Sequence, residues 1–165
     1  MQKTLFILLL FSLTLFPCLA EEFTFYEAAV LGRTDLVKKY IDAGFDVNQR
    51  DEKMESALMW ATMGGRFETI KFLVESGAKV NQRDGAGRNV IYYLLYSKNK
   101  EIAQYLINHG ADINIKDNSH LTLLHLQAFS GDVEGVIFLI ELGADINARD
   151  GKTIRRSLLR NYALQ

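Results

Sequence analysis

Three histidines, one cysteine and a Gly-Lys-Thr triplet are the first candidates for chemistry in this 165-residue chain. A zinc site needs closely spaced His, Cys or carboxylate ligands. His109 and His120 lie near loops, without paired His/Glu spacing and without a cysteine nearby, and Cys18 sits in an apolar leader. Gly151-Lys152-Thr153 matches the end of a phosphate-binding loop, but Ile146 stands where that loop requires its first glycine. No Gly-x-Ser-x-Gly elbow occurs, and the Asp-rich turns lack the pattern of a calcium loop. The carboxylates fall at one repeating step, as turn and cap residues do, rather than as an acid/base pair. The expectation is a protein with no metal, no cofactor and no catalytic residues.

That repeating step is the strongest signal in the chain. Gly44-Phe45-Asp46-Val47-Asn48 recurs as Gly77-Ala78-Lys79-Val80-Asn81, Gly110-Ala111-Asp112-Ile113-Asn114 and Gly143-Ala144-Asp145-Ile146-Asn147. The glycines are 33 residues apart, and Asp51, Asp84, Asp117 and Asp150 keep the same period. Each unit reads as two short helices. Ser56, Asn89 and Thr122 are side-chain caps for a first helix, as in the run Leu58, Ala61 and Thr62. A second helix carries Ile70, Leu73 and Val74, then Ile102, Leu106 and Ile107, then Val136, Leu139 and Ile140, each set on one inward stripe. Gly77 and its equivalents stop that helix in the left-handed conformation. Val47, Val80, Ile113 and Ile146 are expected to pin the outgoing loop to the core, with Asn-x-x-Asp as a turn. Units this short bury their stripe only by stacking, which predicts a one-dimensional solenoid.

These units resemble the ankyrin repeat. The family's opening motif is best matched by Thr122-Leu123-Leu124-His125, followed by Ala128 and Gly131, and its Gly-Ala-Asp-Val/Ile-Asn ending is nearly intact in the last three units. The resemblance spans about residues 23–154. It implies an all-α solenoid of helix–turn–helix units with projecting hairpin loops, and protein–protein recognition rather than catalysis. It also implies that His125 bonds locally to organise its turn. The motif proline is replaced by Ala57, Val90 and Leu123, which removes a preorganised first helical position. Met59 and Tyr92 stand where the family has histidine, and the first unit, opening at Phe23, has no leading hairpin.

The domain reading follows. Met1-Gln2-Lys3, the apolar run Leu5 to Phe16 and small residues before a cut after Ala20 have the layout of a secretory signal peptide over 1–20. Pro17 stands where lipoprotein signals favour Gly or Ala, which disfavours a lipid anchor at Cys18. The ankyrin-like domain is then 21–165, with four units over 23–50, 51–83, 84–116 and 117–149 and a cap over 150–165. In that cap Thr153 starts a helix presenting Ile154, Leu158, Leu159 and Tyr162 inward and Arg155, Arg156 and Arg160 outward. The expected location is the periplasm, with secretion second.

The whole chain carries 19 basic and 20 acidic side chains, and a net charge near zero argues against nucleic acid as a partner. No span beyond the leader is apolar enough for a membrane. The expected partner is a protein, with the chain itself monomeric. Scaffold positions supply a complete core, so further apolar residues at Val30, Met63, Tyr96 and Phe129, again 33 apart, either pack between units or face a partner. Met63, Tyr96 and Phe129, with Arg88, Trp60, Tyr93 and Leu121 on neighbouring helix or hairpin positions, form the candidate surface, since aromatics, Met and Arg concentrate in interfaces. Trp60 and Tyr93 share a position expected to be half exposed. An exported adaptor is the leading reading; a toxin-neutralising immunity protein or a secreted effector resembling host ankyrin proteins are the alternatives.

Overall fold

A computed structural model describes residues 23–150. The expected leader and the closing helix after Gly151 lie outside the described residues. Within them are eight helices: α1 Phe25–Leu31, α2 Thr34–Asp42, α3 Ala57–Met63, α4 Phe67–Glu75, α5 Val90–Ser97, α6 Lys100–Asn108, α7 Leu123–Ser130 and α8 Val133–Glu141. They form four antiparallel pairs, with first helices stacked in one layer and second helices in the other.

The first helices begin where the sequence offers a cap. Thr24, Ser56 and Thr122 accept from the backbone N–H three residues on, and the side chains of Glu27, Met59 and His125 accept in return from the cap backbone. Asn89 caps α5 alone, accepting from Ile91, because Tyr92 reaches away to donate to the Leu121 carbonyl at 2.8 Å. The second helices end in a shared motif. The N–H of Gly77 donates to Val74 and that of Ala78 to Leu73, with Gly77 at φ 91°. A Cβ at Gly77 would meet nothing within 4 Å, so glycine is required there for its left-handed backbone and not for space.

One position breaks that economy. Gly32, Gly65 and Gly131 close the first helices with positive φ, but the third unit places Lys98 there at φ 43°. Left-handed backbone costs a side-chain-bearing residue about 1 kcal/mol, and the exposed ion pairs of Lys98 with Asp132 and Glu134 at 3.5 Å return little. Lys98→Gly should therefore raise stability by roughly 0.5 kcal/mol net of glycine's entropy. A urea midpoint shifted upward at unchanged slope is the expected result; an unchanged or lower midpoint contradicts it.

The Asn of each loop does more than turn the chain. Asn48 Oδ1 accepts from the Lys79 N–H at 2.8 Å while its amide donates to the Gly77 carbonyl at 3.2 Å. Asn81 repeats both bonds with Asp112 and Gly110, and Asn114 accepts from Asp145. These side chains are staples from one unit to the next, which the sequence reading assigned only to a turn. The hairpins are stapled too, by Gly85 N–H to the Lys53 carbonyl and Asn118 N–H to the Ala86 carbonyl.

The core runs the length of the stack, from Phe25, Ala28 and Val37 through Leu58, Ile70, Leu73, Ile91 and Leu94 to Ile102, Leu106, Leu123 and Leu139. Two expectations fail at its last unit. Ile140 is 44% and Ile146 is 52% exposed, although Ile113, one period before Ile146, is buried. Among the described residues no further unit lies beyond α8 to cover them.

Candidate functional site

The hairpin carboxylates build the site from below. Asp51 accepts from the Lys53 and Glu55 backbone N–H groups and from the Trp60 indole N–H at 3.0 Å. Asp84, its equivalent, is buried and accepts from the Ala86 and Arg88 backbone, the Arg88 Nε at 2.7 Å and the Tyr93 hydroxyl at 2.8 Å. The same hydroxyl lies 2.9 Å from Glu55 Oε1 of the preceding hairpin, so its single proton is shared between two carboxylates and ties two units together. Burial pushes Asp84 upward, but the Arg88 N–H, the Tyr93 hydroxyl and the Arg88 guanidinium outweigh it and hold the carboxyl below its ordinary value. Burial, then the proton shared between two carboxylates, raises Tyr93, so it stays a protonated donor.

Asp84 gives stability a defined pH dependence. Its folded value lies below the unfolded 3.8, so its contribution is complete above the unfolded value and is lost as pH falls through the folded one. Thermal midpoints should be flat with respect to this group above about pH 5 and fall below about pH 4. In Asp84→Asn that acid slope should be shallower; an identical slope would assign the acid sensitivity to other carboxylates.

The seven nominated surface residues divide. Tyr96 at 70% and Phe129 at 43% exposed stand out from the first-helix layer. Met63 and Trp60 are half-buried and pack against the core, and Leu121 is half-buried with its carbonyl taken by Tyr92. Tyr93 corrects the expectation of a half-exposed position: it is 4% exposed, because its hydroxyl finds two carboxylates inside. Arg88 is drawn back from the hairpin tip onto Asp84 and lies 5.6 Å from the Tyr93 ring centroid. His125 sits in the cap of α7, with Nδ1 2.7 Å from Thr122 Oγ1. His120 takes φ 63° at the hairpin corner that Gly87 occupies one unit earlier.

Arg88, Tyr93 and Tyr96 come together around a half-open cleft of about 320 Å³ between α5 and α7. Tyr92 and Leu95 complete its α5 wall, and Leu123, Leu126 and Gln127 form the α7 wall. It lies where α5 and α7 do not make the close backbone approach of the two earlier pairs of first helices. The sequence reading missed Leu95, Leu126 and Gln127.

No group of three His, Cys, Asp or Glu placed to hold a metal ion occurs among the described residues. No helix there is long and apolar enough to cross a membrane. Residues 25–117 and 77–150 each match the family model described as ankyrin repeats (3 copies), so the matches together extend over well more than half of the chain. No curated protein matches it.

Proposed function

Since this chain belongs to the ankyrin-repeat family, whose members generally mediate protein–protein interaction, we propose that it is an exported, non-catalytic scaffold that binds a protein partner through its first-helix face and adjoining hairpins. One observation carries the placement. Tyr96 and Phe129 are large aromatic side chains one period apart, both exposed on the same layer. Tyrosine and phenylalanine bury wide areas at low entropic cost and so concentrate in the centres of interfaces. Export rests on the charged, apolar and small-residue layout of residues 1–20.

The test uses the tagged full-length chain expressed in a Gram-negative bacterium, cross-linked in cells and recovered from periplasmic and cytoplasmic fractions. A protein cross-linked to the wild type should be lost on Tyr96→Ala/Phe129→Ala, with the helical circular dichroism and thermal midpoint retained. Retention of the same cross-link in the double variant would move the binding face elsewhere, and recovery of the chain only in the cytoplasm would remove export.

A further inference from the structure

Uncovered apolar surface is concentrated in the last described unit. Of the eight large hydrophobic residues that stand exposed among the described residues, five belong to it: Phe129, Val133, Ile137, Ile140 and Ile146. Val133, Ile137 and Ile140, spaced i, i+4 and i+7, form one stripe along α8. The middle member is not accounted for by the want of a next unit alone. Lys38, Lys71 and Gln104 stand at its place in the three earlier units, and Lys38 and Gln104 are exposed although another unit stacks beyond each. That position faces water in an ordinary unit. Only in the last is it aliphatic, and Ile137 is 52% exposed. A stripe of three large aliphatic side chains on one helix face is the signature of a surface that another helix covers.

The chain itself supplies the cover. Residues 151–165 follow directly from the loop that carries Ile146, and the helix expected from Thr153 sets Ile154, Leu158 and Tyr162 four residues apart on one side. Ten residues of helix span about 15 Å, close to the roughly 14 Å of the nine-residue α8. Charge is complementary as well. Lys152, Arg155, Arg156 and Arg160 are in this segment, which has no acidic side chain, whereas the unit over 117–149 has five acidic side chains against the single basic Arg149. Glu134 and Glu141 share the face of Ile137, three residues before it and four after. Both stay more than half exposed beside Lys98 and Lys100. We propose that residues 153–162 dock along the outer stripe of α8, over Val133, Ile137 and Ile140, with the segment's arginines against Glu134 and Glu141. The chain thus closes its own stack across the back of its last second helix, and not merely by adding helix in register.

Thiol labelling tests this. In a Cys18→Ser background an introduced thiol is the only one in the chain. Ile137→Cys should react with a bulky maleimide about tenfold more slowly than Gln104→Cys, its open equivalent one unit earlier, because the segment must lift before the reagent enters. Adding Leu158→Asp/Tyr162→Asp should raise the Ile137→Cys rate to that of Gln104→Cys, with the helical circular dichroism retained. Equal rates at the two positions without the added substitutions overturn the proposal. Slow labelling of Ile137→Cys that persists in the Leu158→Asp/Tyr162→Asp chain overturns it too, and labelling that speeds up on dilution would assign the cover to a second copy of the chain instead. Ile137→Lys gives a second reading with the segment unaltered, since it restores the residue type of Lys38 and Lys71. Its thermal midpoint should fall if the stripe is covered, and an unchanged or higher midpoint contradicts the docking. No partner is needed for either measurement, so both are independent of the cross-linking test.

Discussion

Asp84→Ala should cost about 3 kcal/mol of unfolding free energy, the largest loss for any single hairpin residue. The substitution strands several partners at once: the Arg88 guanidinium, the Tyr93 hydroxyl on one of its two acceptors, and the backbone N–H groups of Ala86 and Arg88. Breaking one side of a buried ion pair costs roughly 3–5 kcal/mol when the remaining charge is fully enclosed. Here the Arg88 side chain is 36% exposed while that of Asp84 is 1% exposed, so water recovers part of the arginine and the lower end applies. Asp51→Ala is the natural comparison. Asp51 serves the same turn and the Trp60 indole but has no arginine and is only half-buried, so its loss should be about 1–2 kcal/mol. Urea unfolding of both variants checks the order. Equal losses would show that the hairpin turn, and not the ion pair with Tyr93, supplies the stability.

Gly64→Ala should destabilise by roughly 2–3 kcal/mol, a cost characteristic of overpacking. Gly64 has φ −75°, a backbone conformation open to any residue, so the constraint is space alone. A Cβ there would fall within the van der Waals radius of the Val30 carbonyl oxygen, which is backbone and cannot swing aside. The same carbonyl accepts from Arg66 Nε at 2.8 Å, so separating α1 from α3 to relieve the clash also strains that bond. Gly77→Ala has the opposite character: nothing lies near its Cβ, and it should lose only the left-handed backbone preference, about 1 kcal/mol. Thermal unfolding of the two variants separates a steric from a conformational glycine. A Gly64→Ala midpoint equal to that of Gly77→Ala would mean that the α1–α3 approach yields easily.

The two glycines also mark how far one-dimensional reading reaches. The 33-residue period was legible because each unit needs the same turn geometry, and local geometry is written in local residues. Thr24, Ser56, Asn89 and Thr122 cap helices for reasons internal to their own first turns. Gly77 ends its helix for a reason internal to its own backbone. The periodic stripes predicted which residues would be buried in the middle of the stack and misjudged Ile140 and Ile146 at the end of the described residues. Burial there depends on what lies next in space, and periodicity carries no information about that.

The candidate surface shows the same division. Spacing flagged Tyr96 and Phe129, which stand exposed, but flagged Met63 equally, and Met63 packs against the core; which way such a residue turns depends on its neighbours in space. Tyr93 was misplaced because its environment is set by Glu55, 38 residues earlier, as much as by Asp84, nine residues earlier.

By itself, then, the sequence determined the unit, its period and its caps, because each depends on interactions within a few residues. Its carboxylates, part of the search for chemistry, were legible there as turn and cap residues for the same reason, while the local bond of His125 was implied by the family resemblance. Only the tertiary structure decided that Asn48, Asn81 and Asn114 join successive units, that Arg88 turns inward onto Asp84, and that α5 and α7 stand apart. Those outcomes depend on which side chains meet across an interface.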